Sequence, residues 1–276
     1  MVAPSAAAPH ERSRRRARRL TFSRTRGQII ALVTPFERNL DWIVLALATV
    51  LGTGSIALFA ISGMRHLLPL GFSDSTALLW DAALSLFFFL QHSGMVRRSF
   101  RAHLTRVLPD RYQVAFYAIT SGIALTLVAI LWQPTQRRLF VFTGPARWVI
   151  TAAALSTLAI FVWTARTAES FDLLGLRPIR AHLKGRGARP SHFVARGPYS
   201  WVRHPLYSCV LVLLWCTPVL TADRLLLNVL WSAWVCLGAA LEERDLIADF
   251  GDVYRDYRQR VPMLIPWRGH VRLDAQ

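Results

Sequence analysis

Six long apolar stretches, at 42–62, 76–91, 112–132, 148–163, 206–220 and 225–241, constrain this chain more than any other feature it has. A helix rises 1.5 Å per residue, so about 20 apolar residues cross a hydrocarbon core roughly 30 Å thick. Each stretch crosses or nearly crosses that distance, the second and the last two being short for a full span. Only Thr221 to Arg224 separate the last two, which predicts a tight helical hairpin with Pro218 near its tip, where a helix is ending. The expected architecture is all-α: a polytopic integral membrane protein of about six transmembrane helices.

Charge sharpens the expectation. Of the 276 residues 53% are hydrophobic and 18% charged, against about 25% charged in soluble proteins. Yet the formal net charge is +17, from 33 Lys+Arg against 16 Asp+Glu. Nine of these cations lie in the arm ending at Arg38, five in 93–111, eight in 164–205 and six in the C-terminal tail, which is 28 of the 33. With six alternating spans those segments share one side, and the positive-inside bias makes both termini cytoplasmic. The cations sit in loops between apolar helices, not on a folded basic domain, so nucleic acid is not an expected partner. The arm at 11–26 (ERSRRRARRLTFSRTR) is expected to brace the chain on anionic membrane lipids, and no apolar stretch follows closely enough for a cleaved signal.

Several motifs read as structure only. Cys209, Cys216 and Cys236 lie inside apolar runs and are expected to be buried, inert thiols. No histidine pair has zinc-site spacing, so no metal is expected. Gly52 and Gly54 fall inside an apolar span with no preceding strand, unlike a dinucleotide-binding fingerprint.

Chemistry is expected where polar residues run against the hydropathy. Gln91, His92, Ser93, Met95, Arg97 and Arg98 close the second span. The segment 196–207 (RGPYSWVRHPLY) leads into the fifth. There Gly197-Pro198 makes a turn, and Pro205 suits the first turn of a helix, where its missing N–H is harmless. Arg203 and His204 then stand at the helix start among Tyr199, Trp201 and Tyr207. An interfacial aromatic belt needs no Arg-His-Pro; this density of ring, cation and imidazole suits a polar ligand. After the sixth span, Glu242 and Glu243 continue the helix with no loop, placing carboxylates at the bilayer edge, where they need a partner. Arg203 or a cationic ligand would serve. Tyr254 and Tyr257, spaced i, i+3, share a helix face, and 261–267 (VPMLIPW) reads as an extended segment packing back on the membrane. These elements predict a cytoplasm-facing site on the fifth and sixth helices for a cationic, ring-bearing small molecule.

The pairing of Arg203-His204-Pro205-Leu206-Tyr207 with Glu242-Glu243 and the tail 250–266 resembles the isoprenylcysteine carboxyl methyltransferase superfamily, integral-membrane enzymes that use S-adenosylmethionine (SAM). That resemblance covers about 191–267. The Gln91 to Arg97 segment and 170–177 (SFDLLGLR) are similar to the bacterial branch holding the NnrU-type proteins and the methanethiol S-methyltransferases, extending it to about 80–267. The resemblance implies that Phe193 and Val194 lie on the segment lining SAM, that Tyr199, His204, Pro205 and Tyr207 belong to the cofactor motif, and that Glu242 is its acidic contact. Tyr254 is a further cofactor-binding candidate. One departure is informative: the eukaryotic prenylcysteine enzymes carry a substrate-contacting Arg one turn before that Glu, where this chain has Gly238. Small residues there suit a compact neutral acceptor.

The expected chemistry follows. Tyr rings and an imidazole offer faces to a sulfonium. Glu242 suits the amino group of SAM and Arg203 its carboxylate. Methyl transfer to a thiol is an in-line displacement favoured by alignment and exclusion of water. The thiol must first lose a proton, to either His204 or Glu243, while His92 closes the site from the second helix. The catalytic candidates are therefore His204, Glu243, Arg203 and His92. The expected function is SAM-dependent S-methylation of a small lipid-soluble thiol, methanethiol, to dimethyl sulfide. The alternatives are an NnrU-type protein of nitrogen-oxide metabolism without methyl transfer, or methylation of a lipid amine, another thiol or a prenylcysteine carboxylate. The expected division is a disordered basic cytoplasmic arm at 1–38, helices one to four with their loops at 39–190, and a SAM-binding region at 191–276 that includes the hairpin 205–242.

Overall fold

The computed structural model describes residues 34–62, 67–167, 172–186 and 195–271. The arginine-rich arm, and Phe193 and Val194, lie outside the described residues.

All six apolar stretches fall on helices. Helix α1 (Pro35–Ser62) opens on a reciprocal cap: Glu37 N–H donates to Thr34 Oγ1 at 3.2 Å, and Thr34 N–H to Glu37 Oε2 at 3.0 Å. Ser73 caps α2 (Asp74–Val96) by accepting from the Thr76 N–H. A short α3 (Arg98–Leu104) leads to α4 (Asp110–Leu131). Next come strand β1 (Arg138–Val141), α5 (Gly144–Thr167) and α6 (Leu176–Leu183). A 3-10 turn (Gly197–Ser200) precedes α7 (Pro205–Trp215), strand β2 (Val219–Thr221), α8 (Ala222–Phe250) and α9 (Asp252–Arg260).

Helices α1, α4, α5 and α8 are each long and apolar enough to cross a membrane. Large apolar side chains face outward along the long helices, Leu79 and Trp148 each 74% exposed, as a lipid-facing surface requires. The protein is an integral membrane protein, and among the described residues one short antiparallel ribbon, β1–β2, ties the α4–α5 connection to the α7–α8 connection. Two expected spans differ from the other four. Helix α2 has 23 residues, but Asp74 and Asp81 dilute its apolar character. Asp81 is wholly buried and accepts the Gln133 N–H at 2.9 Å. Helix α7 has only 11 residues and ends at Trp215, not 220, because Pro218 and β2 take over the backbone. Its partner α8 is longer than expected, running without a break through Glu242 and Glu243 to Phe250.

Close packing depends on small residues. Helix α1 lies along α4, and a Cβ at Gly122 would sit 2.4 Å from the Leu51 carbonyl oxygen, so only glycine lets the two backbones approach this closely. Gly175, with φ +67°, turns the chain into α6 against the backbone of Val114 and Ala115. On the other side of α4, α2 packs on α8 through rings: Phe88 stacks on Trp231 with centroids 5.1 Å apart, and Phe89 on Trp234 at 4.8 Å. Helix α7 is held between α5 and α8. Of the three cysteines only Cys209 is buried; Cys216 is half-buried and Cys236 is exposed, a position on α8 that the apolar run did not distinguish.

Candidate functional site

The site grows from the start of α7. Gly197 takes φ +60°, and the 3-10 turn it opens leads into the Arg203-His204-Pro205 corner. Pro205 occupies the first turn of α7 and is buried. The chain after α9 returns to this corner. The Arg203 N–H donates to the Pro262 carbonyl at 2.9 Å, the His204 N–H to Met263 at 3.1 Å, and the Ser208 hydroxyl to Leu264 at 2.7 Å. So the segment expected to pack back on the membrane packs first on the corner of α7.

Side chains then join three elements. Arg203 Nε donates to Glu243 Oε1 at 2.6 Å, and Arg203 Nη1 to the carbonyls of Arg258, at 2.9 Å, and Val261. His204 Nε2 lies 3.3 Å from the same Glu243 oxygen, and Arg258 Nε 3.5 Å from the other. Glu243 and His204 are only 5% and 7% exposed. Arg203 is thus a clasp between α7, α8 and the end of α9, with donors committed to protein acceptors. Glu242, the next residue, is different. Its side chain is 26% exposed, and it faces His204 Nδ1 at 3.8 Å and the Tyr207 hydroxyl. The His204 and Tyr207 rings stack in parallel, 7° between planes. Two adjacent carboxylates therefore divide: Glu243 is neutralised inside the clasp, and Glu242 opens toward aromatic faces.

Tyrosines complete this region. Tyr254 is 1% exposed and meets Tyr257 edge-on, while the Tyr257 hydroxyl donates to the Tyr199 carbonyl at 2.6 Å. Burial, reinforced by the nearby charge of Glu242, pushes the Tyr199 phenol up to about 12. Burial raises Tyr254 and Tyr257 further, so all three stay neutral hydroxyls at physiological pH.

The remaining candidate, His92, sits deeper on α2. Its Nε2 is 2.5 Å from the Tyr117 hydroxyl of α4. Its ring meets Phe88 and Trp234 at 5.1 and 5.2 Å, and Trp234 Nε1 donates to Ser93 Oγ at 3.0 Å. Tyr117 lies close enough to Glu242 and Tyr207 to feel both electrostatically. The structure therefore brings Arg203, His204, Glu243, Tyr254 and the Pro205 corner together, with Glu242, Tyr199 and Tyr207 beside them and His92 one ring further in. Sequence reasoning passed over Tyr117 and Arg258. Tyr117 is a hydroxyl inside an apolar run, the signal that was followed elsewhere; Arg258 is one cation among six in a basic tail. Among the described residues no group of three or more His, Cys, Asp and Glu side chains is placed to hold a metal ion.

Fold and site together define a helical membrane protein with one clasped and one open carboxylate at the junction of α7, α8 and α9. Comparison with known proteins gives the family. The chain is 35% identical over 201 residues to methanethiol S-methyltransferase 1 of Bradyrhizobium diazoefficiens, covering 72% of this chain and 70% of the relative. It is 35% identical over 196 residues to methanethiol S-methyltransferase of Crocosphaera subtropica, covering 70% and 76%. It is also 30% identical over 185 residues to nurim of Rattus norvegicus, covering 62% and 68%. The chain belongs to the methanethiol S-methyltransferase family, within the isoprenylcysteine carboxyl methyltransferase-like superfamily, and is a methyltransferase. No family model and no solved structure matches it.

Proposed function

We propose that this protein S-methylates methanethiol to dimethyl sulfide with SAM as donor, at a site on the cytoplasmic side of a bacterial inner membrane. The observation that carries the reading is the division of labour between Glu242 and Glu243. Arg203, Arg258 and His204 converge on Glu243, which leaves Glu242 partly exposed beside the His204–Tyr207 stack. A carboxylate next to stacked rings at a membrane edge fits an amino group and a sulfonium, the two cationic parts of SAM. SAM supplies an electrophilic methyl group; the residues bind, orient and keep water out.

In this reading Glu242 holds the amino group, Tyr199, His204 and Tyr207 flank the adenosine and sulfonium, and Pro205 fixes the corner. Tyr254 backs the pocket from α9, with the 191–194 segment, including Phe193 and Val194, as its further lining. Arg203 and Glu243 keep the corner and tail together. Topology supports the placement. Twenty residues of α8 from Ala222 span about 30 Å, so Glu242 and Glu243 fall where the helix leaves the core. The cation bias puts that end in the cytoplasm, beside anionic headgroups, with six crossings if α2 and α7 also traverse. A Cβ at Gly238, one turn earlier on α8, would meet nothing within 4 Å, which leaves room for a small acceptor and no guanidinium for a substrate carboxylate.

The test is direct. Membranes containing the protein, given SAM and methanethiol, release dimethyl sulfide into the headspace. Intact SAM binding with no product above control would overturn the substrate, and failure to bind SAM would overturn the donor.

A further inference from the structure

Proton removal has no free acceptor in the clasp. Methyl transfer to a thiol needs the thiolate, and an alkyl thiol is mostly protonated at neutral pH. Glu243 accepts from Arg203 at 2.6 Å and faces Arg258 and His204; the two ring nitrogens of His204 face Glu243 and Glu242. Drawing either residue away to take a proton would unfasten the corner that shapes the site.

A second titratable pair stands apart from these ions. His92 and Tyr117, on α2 and α4, share a hydrogen bond of 2.5 Å and are both half-buried. Their surroundings are rings: Phe88 and Trp234 flank the imidazole, and Phe89 and Trp231 stand behind. Tyr117 also lies within electrostatic reach of Glu242 and Tyr207, the cofactor end of the site. Such rings offer an apolar alkyl group a surface that the ionic clasp does not.

Resting on the reading above, we propose that His92 and Tyr117 form the proton-accepting pair for the methyl acceptor, with Phe88 and Trp234 as the wall against its alkyl group. The thiol proton passes to the imidazole, directly or through the Tyr117 hydroxyl, which gives up its own proton to His92 as it takes the thiol's. The sulfur lone pair then forms the new S–CH3 bond as the sulfonium S–CH3 bond breaks, yielding a thioether and S-adenosylhomocysteine. His92 returns the proton to solvent.

Two measurements test the pair in detergent-solubilised full-length protein. In the first, an alkyl thiol is titrated in the presence of S-adenosylhomocysteine, which cannot react, and the ultraviolet thiolate band is followed. Wild type shows the band; His92→Asn and Tyr117→Phe lose it while SAM binds as before. In the second, methyl-transfer rates are compared across thiols of increasing acidity. The variants lose about a hundredfold or more on alkyl thiols and recover on aromatic thiols, which ionise without help. A thiolate band that persists in His92→Asn, or an equal loss on all thiols, overturns the pair. Wild type that binds SAM and methylates no thiol overturns the proposed function, a different result from variants that fail while wild type works.

Discussion

Two buried carboxylates in this molecule are surrounded alike and mean different things. Asp41 on α1 is wholly buried: Tyr112 Oη donates to it at 2.5 Å, His182 Nδ1 lies 2.7 Å away, and Arg111 Nε pairs with it ionically at 3.4 Å. Arg111 also lies over the Tyr112 ring and within 3.9 Å of Glu37. Glu243 on α8 has its own arginines and histidine, with Tyr254 nearby. Asp41 joins α1, α4 and α6, and the acid one turn before it, Glu37, is taken up by the Thr34 N–H and hydroxyl at 3.0 and 2.9 Å. Glu243 has Glu242 beside it, partly exposed and facing rings. The first is a knot; the second is a knot with a free end. An Arg-His-Tyr shell does not by itself mark a site; a neighbouring carboxylate that faces stacked rings instead of a helix cap does.

The sharpest way to break that contrast is Asp41→Ala. Removing one partner of a buried ionic cluster strands the others, and about 3 kcal/mol of stability should be lost. Denaturation in detergent would show it, with SAM affinity of the folded fraction unchanged. Weaker binding at undiminished stability would make Asp41 part of the site. Glu242→Gln should do the reverse: SAM affinity falls about tenfold to a hundredfold, the scale of a charged hydrogen bond of about 1.5–3 kcal/mol. Its melting temperature should stay within about 2 °C of wild type. An unchanged dissociation constant would remove Glu242 from the cofactor site.

A smaller effect lies in the clasp. Arg203→Gln leaves Glu243 short of charge and frees the 258–264 segment, so proteolysis near Arg258 and Arg260 should speed up. Adding Glu243→Gln should restore about 1–2 kcal/mol of the stability lost, because no buried charge is then stranded. Additive losses would mean that the two residues act separately.

The smallest effect is in alkali. Tyr199 is raised from 10 to about 12 in the folded protein, so the fold favours its neutral form. That contribution is fully present below pH 10 and fades as pH rises to about 12. Tyr199→Phe should make the alkaline stability slope shallower by up to one proton, with no change below about pH 9. Lys184 is the only lysine, which leaves that pH range largely to tyrosines. Glu242→Gln should bring the Tyr199 midpoint part of the way back; no movement would place the two groups too far apart to share a ligand.

Much of this was legible in one dimension. Apolar length alone located the six helices that carry these runs, four of them long and apolar enough to cross a membrane, since a helix in lipid must satisfy its own backbone and show its apolar residues outward. The corner at Arg203 to Tyr207 and the acids after the last apolar run stood out as polar groups in the wrong solvent. Asp41, Asp81 and Tyr117 were not singled out, although each is polar and lies in or beside an apolar run. A single polar residue in an apolar run gives no sign of its partner, and the partners here lie far off: Asp41 with His182, Asp81 with Gln133, Tyr117 with His92. The C-terminal end of α7 was also hidden, because β2 pairs with a strand from another loop.

Local composition thus settled which segments are helical, that they belong in a membrane, and where charge breaks the pattern, because hydropathy and backbone satisfaction act within a segment. Tertiary structure alone decided which of two neighbouring glutamates is locked and which is open. That choice depends on the chain after α9 returning to α7 and bringing the Arg258 and Val261 carbonyls onto Arg203, and neither the spacing nor the identity of the residues carries the distance between them.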